Sequence, residues 1–211
     1  MANTNTNIMD KWVKPLLGVI ASTAIIGLGV CLYVYADLGG DSITVFEDGL
    51  GKTLGTRLGT AAYLYAATVI LLDLLFAREK VGWTTIVNTL FTGTFINLFD
   101  TLLSPYLQGH SLLVRWILML LGLLCIVLSI VILIRFQQGM NALDALAWTL
   151  SEKTPIPYKV IRILMDAFLI VVGYLMGGEI GIGSLVGTVG LGPAVSFLND
   201  LLNKKRSPKK R

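Results

Sequence analysis

The 211-residue chain is 55% hydrophobic and only 14% charged, with a mean hydropathy of +0.75, whereas soluble domains carry about a quarter of their residues as charged side chains. These values exclude a soluble globular domain and identify an integral membrane protein. The net charge of +4 comes without interleaved aromatics or a folded basic face, so it argues against nucleic acid as a partner and reports membrane topology instead.

Residues 1–12 form a polar extension without pattern. Apolar runs of about 20 residues, the length a helix needs to cross the hydrocarbon, then fall at 13–36, 56–77, 84–107, 112–135, 158–177 and 183–202. Residues 204–211 are a basic tail. Six spans sort the 17 Lys and Arg residues unevenly. One side receives Lys11, Lys14, Arg78, Lys80, Arg135, Lys153, Lys159, Arg162 and the six of the tail, and the other only Lys52, Arg57 and Arg115. Short loops rich in Lys and Arg stay cytoplasmic, so both termini are expected in the cytoplasm of a multi-pass protein of the cell (inner or plasma) membrane. Cys31 and Cys125 fall inside apolar spans and imply no disulfide framework.

The first span carries Gly18, Ser22, Thr23, Gly27 and Gly29, small residues that let membrane helices approach closely. The segment after it, 37–55, is too polar to span and too apolar for an ordinary loop. Gly39 and Gly40 break the chain, Asp41 or Ser42 can cap a new start, and Ile43, Phe46 and Leu50 recur at helical spacing before Gly51, predicting a short helix over 41–50. Its counterpart at 141–152 has Gly139 as breaker, Asn141 as cap, and Leu143, Leu146 and Leu150 as apolar face. Each reads either as an interfacial helix or as a re-entrant half-helix, and the second case implies an internal polar site. In the second span Asp73 lies about one turn from Arg78 and Lys80, which predicts an ion pair at the span end. The fourth span is uniformly Leu, Ile and Val and is expected to face lipid. The fifth carries Arg162 and, four residues on, Asp166, about nine residues into the membrane. A lone carboxylate there is costly, so a structural pair with Arg162, a proton- or substrate-handling acid and a neutral carboxyl are all open.

Residues 82–103 recur 99 positions later as 181–202. Gly82 meets Gly181, Thr85 meets Ser184, Thr89 meets Thr188, Gly93 meets Gly192 and Asp100 meets Asn199; upstream, with a shift of 100, Gly39 meets Gly139 and Asp41 meets Asn141. The matches are small and polar residues, not the Leu and Val common to any two apolar helices, which marks an internal repeat. Repeat 1 covers 13–107 and repeat 2 covers 108–203. Three spans per repeat is an odd number, so the fold expected is an all-α membrane protein of six transmembrane helices in two inverted-topology repeats, each with a short broken or re-entrant helix after its first span. The third span sets Thr85, Asn88, Thr89, Thr92, Gly93, Asn97 and Asp100 on one face, answered in the sixth by Ser184, Gly187, Thr188, Gly192, Ser196 and Asn199. Such faces either pack together or line a path.

The chain resembles the YitT and YczE group of small bacterial membrane proteins. Ala36, Asp37, Leu38 and Gly39 match its Ala-x-Leu-Gly turn, and Gly82, Trp83, Thr84, Thr85 and Asn88 match its glycine-led third span. The resemblance implies six spans and possible transport, with no substrate attached; the chain departs from it in lacking the Pro-Trp after the glycine turn and a soluble C-terminal domain.

Inverted repeats commonly place a substrate near the midplane, where broken helices meet. The function expected is therefore a transporter or channel for an unknown small polar solute, not an enzyme. The candidate binding residues are Gly39, Gly40, Asp41, Ser42, Gly139, Asn141, Asp144, Asn88, Thr89, Asn97, Thr188 and Ser196, with Asp166 and Arg162 for proton or ion coupling. The alternatives are a substrate-capturing subunit of an ATP-driven importer and a non-transporting accessory protein. The lipid bilayer is the expected partner, a homo-oligomer is possible, and neither a metal nor a cofactor is expected, since no ligand spacing or phosphate-cradling turn is present.

Overall fold

The computed structural model describes residues 13–107, 111–136 and 142–204. The described residues form eight α-helices and no strand: α1 (Lys14–Tyr35), α2 (Ser42–Leu54), α3 (Leu58–Phe76), α4 (Trp83–Leu103), α5 (Leu112–Phe136), α6 (Ala142–Lys153), α7 (Tyr158–Leu175) and α8 (Ile182–Lys204), with a single 3-10 turn at Arg78–Lys80. Five of them, α1, α3, α4, α5 and α8, are long and apolar enough to cross a membrane. The sixth long helix, α7, has 18 residues and carries Lys159, Arg162 and Asp166. Leu75, Phe168, Leu175 and Leu185 are each more than 60% exposed, an apolar exterior suited to hydrocarbon and unsuited to water. The two termini, Gly139 and Asn141 lie outside the described residues.

The centre of the bundle is the seam between α1 and α5, and small residues set its spacing. Ser22 and Ser129 each donate a hydroxyl to the other's carbonyl at 2.9 Å. Two turns along, Gly29 and Gly122 face each other so closely that a Cβ on either would lie 2.8–2.9 Å from the other's carbonyl oxygen. In lipid no hydrophobic force draws helices together, so close backbone approach and such buried hydrogen bonds supply the association. The expectation that the fourth span faces lipid is thereby corrected. Although α5 is apolar all round, as a helix in the middle of a membrane bundle can be, its Met119, Ile126, Val127 and Val131 are buried against the bundle.

Around that seam α4 packs on α1, where Thr23 donates to the Asn88 carbonyl oxygen at 3.0 Å and the Cys31 thiol donates to the Ile96 carbonyl at 3.3 Å. Next, α3 packs on α4 through Gly59 and Gly93, whose backbones touch. Outermost, α8 contacts α5 and leaves most of its surface exposed.

Both short segments are helices, and α2 is longer than the spacing predicts. Gly51 does not stop it. The helix runs on to Leu54 and ends where Gly55 turns left-handed at φ +64, with Thr56 N–H bonded to the Gly51 carbonyl and Gly55 N–H to that of Lys52, the hydrogen-bond pair of a Schellman motif. Gly51 is kept helical because the start of α3, at the Thr56 carbonyl and Ala61, fills the space beside it.

The expected ion pair of Asp73 is also corrected. Lys80 turns away with the 3-10 segment to meet Glu152 of α6, while Asp73 is fully buried with neither carboxyl oxygen bonded among the described residues.

Two consequences are measurable. Gly29→Leu should destabilise the protein by about 1–3 kcal/mol, read as a lowered unfolding midpoint in detergent, because its side chain would enter the Gly122 carbonyl. Lys80, and after it the Trp148 indole N–H, hold the exposed Glu152 carboxyl below its ordinary value of 4.5. A depressed folded-state value contributes stability above the unfolded pKa that is lost as pH falls through the folded one. The small difference in melting temperature between the wild type and Glu152→Gln should therefore be present at neutral pH, vanish on acidification and shrink with salt.

Candidate functional site

After α1 the chain turns sharply, and Gly39 makes this possible. Its φ is +88, a region closed to most side chains, and a Cβ there would collide with the Gly181 backbone. The turn is held to the start of α8 by Gly183 N–H donating to the Leu38 carbonyl at 2.7 Å and by the Tyr33 hydroxyl donating to the Gly183 carbonyl at 2.8 Å. Arg115 closes it from α5 by donating to the Ala36 carbonyl at 2.8 Å and to Asp37.

Beyond the turn the chain enters α2 with Asp41 as its extended N-cap, and the Thr44 hydroxyl donates to the Asp41 carboxylate. The Ser42 hydroxyl donates to Asp166 at 2.5 Å. From there α2 runs parallel to α7. Gly49 lies against the Gly173 backbone, the Thr53 hydroxyl reaches the Met176 carbonyl at 2.9 Å, and Lys52 reaches Glu179 at 3.0 Å. Asp166 is the ninth of the 18 residues of α7, so the first turn of α2 sits halfway along a long helix and its last turn at that helix's end.

The other short helix meets the preceding turns of α7. Asp144, in the first turn of α6, accepts from the Tyr158 hydroxyl at 2.9 Å and from Arg162 Nε at 3.0 Å. Its last residue, Lys153, reaches the Phe76 carbonyl at the end of α3 at 3.5 Å. Arg162 therefore bridges the two short helices, with Nε on Asp144 of α6 and Nη1 on Asp166, to which Ser42 of α2 is also bonded. Planar guanidinium suits this double task, since it offers donors in two directions at fixed geometry. The positive ends of both short-helix dipoles face the carboxylates gathered there.

The residues singled out from the sequence separate into three groups. Asp41, Ser42, Asp144, Arg162 and Asp166 come together around α7, and Gly39 and Gly40 make the turn that delivers the first two. Asn88 and Thr89 lie on α4, where Asn88 meets Thr23 of α1 and the Thr89 hydroxyl bonds the Thr85 carbonyl within its own helix. Asn97 is pressed against Gly59 of α3, and its Oδ1, like the Thr188 hydroxyl on α8, is buried without a partner among the described residues. Ser196 is exposed on α8.

Sequence reasoning missed Glu47, Tyr65 and Tyr158. Glu47 is 5% exposed and makes no hydrogen bond or ion pair among the described residues. Tyr65, on α3, buries its hydroxyl without a partner and sets its ring 5.8 Å from that of Phe46. The available signal was that, of the two acids between Phe46 and Leu50, a helical wheel places Glu47 and not Asp48 on the edge of the apolar face.

Two hollows adjoin these residues. An apolar groove of about 550 Å³ between α3 and α7 is floored by Phe46, Leu50, Tyr65, Leu146, Met165 and Phe168. A more polar cleft of about 300 Å³ at the Tyr35 end is lined by Tyr33, Asp37, Thr44, Asp48, Lys52 and Glu179. At its mouth a hydrogen bond shared by the two carboxyls holds Asp37 below its ordinary value and raises Glu179 above its own, as expected of two acids sharing one proton. Among the described residues no cluster of His, Cys, Asp and Glu has the arrangement of a metal site.

The bridge is testable by a double-mutant cycle. Arg162→Met should cost about 3 kcal/mol, the low end for breaking a buried pair, since the three side chains keep 16–32% exposure. Adding Asp166→Asn should cost less than the two single changes together, read from unfolding midpoints in detergent.

The chain is similar to a Haemophilus influenzae protein described only as uncharacterized, with 21% identity over 197 residues covering 93% of this chain and 88% of the relative. It is also similar to the uncharacterized protein YyaS of Bacillus subtilis, at 26% identity over 168 residues, covering 80% and 83%. No solved structure matches. A family of unknown function, DUF6198, matches residues 13–200, and the chain belongs to that family.

Proposed function

We propose that this protein is a multi-pass transporter of the bacterial cell membrane that carries a small solute, without enzymatic activity, through a site at the Arg162 cluster between two inverted repeats. The observation that carries the reading is the approach of two short helices, one from each repeat, to neighbouring turns of the first half of α7, α6 at Tyr158 and Arg162 and α2 from Asp166 onward. Irregular backbone at membrane depth is stable only where protein or a water-filled cavity satisfies it, and paired broken segments of this kind are where secondary transporters bind substrate.

Equivalent contacts in the two halves support the inverted repeat. With a shift of 100 residues, the Ser22–Ser129 contact corresponds to Gly122–Gly29, and both lie on the α1–α5 seam. The bond from Thr53 to the Met176 carbonyl corresponds to that from Lys153 to the Phe76 carbonyl. The ion pair Lys52–Glu179 is answered, one residue displaced and with its charges exchanged, by Lys80–Glu152. In each half the short helix also rests on the second span of the other half, α2 on α7 and α6 on α3. Exchange of partners between repeats is what a pseudo-two-fold axis in the membrane plane produces. The uneven distribution of Lys and Arg supports cytoplasmic termini, and the likeness to the YitT and YczE group supports membership of a wider set of six-span proteins.

The symmetry is broken at the site. The counterparts of Ser42, Arg162 and Asp166 are Ala142, Ala62 and Ala66, all buried. One half-site is ionic and the other apolar, so a solute bound between them has one polar and one apolar wall.

Purified protein reconstituted into proteoliposomes should accumulate at least one member of a broad panel of small amines, amino acids and anions, with or without a pH gradient. Asp166→Asn, which keeps the size of the side chain, should lower that flux at least about tenfold, equivalent to about 1.4 kcal/mol of barrier. Absence of flux across the whole panel would overturn the reading.

A further inference from the structure

We propose that the groove between α3 and α7 is a binding site for a lipophilic monocation, an amine or onium ion with an aromatic or branched alkyl body, and that Glu47 is its counter-ion. The inference deepens the transport reading and rests on it for the idea that the ligand is carried.

The groove has the size and lining of a small-molecule site. Its volume of about 550 Å³ lies in the range of about 300–1,000 Å³ typical of such pockets, which are mainly apolar with a few placed polar groups. Its walls are Leu, Ile, Val, Met and Phe side chains from α2, α3, α6 and α7. The placed polar group is the Tyr65 hydroxyl, buried and without a partner among the described residues. A buried hydroxyl left unpaired costs about 1–3 kcal/mol, and a ligand presenting a polar or charged head removes that cost.

Charge then selects the ligand. Three carboxyl groups, Asp41, Asp144 and Asp166, lie near one cation, Arg162, with a fourth, Glu47, further along α2, and that cation is engaged by Asp144 and Asp166. Asp41 is bonded by the Thr44 hydroxyl. Glu47 alone of the four has neither an ion pair nor a hydrogen bond among the described residues, at 5% exposure. At about 100° per residue, Glu47 stands about 60° around α2 from Leu50 and about 100° from Phe46, both of which line the groove. Glu47 does not itself line the groove; it lies buried beside Phe46 and Leu50, which do.

A cation entering from the groove would thus meet an acid that lacks a counter-ion, a free hydroxyl and the faces of Phe46 and Tyr65, which add cation–π attraction once water is excluded. Burial favours the neutral acid while Glu47 is unpaired; a cation beside it stabilises the carboxylate, whose proton passes to solvent, whereas an anion of the same shape gains no such partner. The apolar walls exclude strongly hydrated cations, which would lose their water without replacement ligands.

Tetraphenylphosphonium and tetraphenylborate have nearly the same size and shape and opposite charge, and they make the test. By equilibrium dialysis against the purified protein in detergent, tetraphenylphosphonium should bind and tetraphenylborate should not. Glu47→Gln should weaken phosphonium binding at least tenfold. Asp48→Asn, one residue away but facing the polar cleft, should leave it unchanged. Leu146→Trp, which fills the groove without touching charge, should also abolish it, and this variant keeps the test decisive if Glu47→Gln fails to fold by gel filtration. Equal binding of the borate, undiminished phosphonium binding by Glu47→Gln, or no phosphonium binding by folded wild type would each overturn the proposal. Phosphonium binding that depends on Glu47, in a protein without flux, would uphold the site and overturn the transport reading. Flux of other solutes without phosphonium binding would do the reverse.

Discussion

Arg162 is the side chain on which the interior arrangement depends. It reaches from α7 to Asp144 at the start of α6 and to Asp166, which in turn receives Ser42 at the start of α2. Two helix beginnings are brought together by one guanidinium, and the carboxylates that hold it also occupy the positive ends of both helices. Replacing such a network by apolar side chains often stabilises a protein. Its presence here therefore argues for a role beyond stability, and α7 carries the cost in its three charged residues.

That network needs backbones close enough to be bridged, which the glycines provide. Gly49 and Gly173 bring α2 and α7 into backbone contact, and Gly39 turns the chain so tightly that it lies on the Gly181 backbone. The corresponding position in the other half holds Asp73 and Thr149, both with buried oxygens that find no partner among the described residues. Under the proposed repeat the two seams are packed differently, closed by glycines between α2 and α7 and occupied by polar side chains between α3 and α6. Departures from symmetry of this kind are where a repeated fold acquires chemistry.

Within the site the ionic and apolar parts adjoin without mixing. Arg162 and its carboxylates lie between α6 and α7, and the apolar groove opens between α7 and α3, with Tyr65 among its lining residues. The lipophilic cation proposed above, with one charged group and a greasy body, is a ligand that would satisfy both regions together.

Much of this was legible in the residues. Apolar runs of about 20 residues mark the spans because hydrocarbon demands them; Gly39 marks a break because few other residues adopt its backbone angle; and the spacing of four from Arg162 to Asp166 predicts their contact because helical neighbours meet at that distance. The recurrence of 82–103 at 181–202 is the basis in the sequence for the proposed repeat. Tertiary structure decided everything that depends on which helix faces which. The apolar fourth span turned inward because Gly29 and Ser22 accept Gly122 and Ser129, and Lys80 left Asp73 because Glu152 was brought within reach. Glu47 became a buried acid only once α2 was packed against its neighbours. Period and composition report one helix at a time, whereas burial and partnership belong to pairs of helices, and no single helix encodes its neighbour.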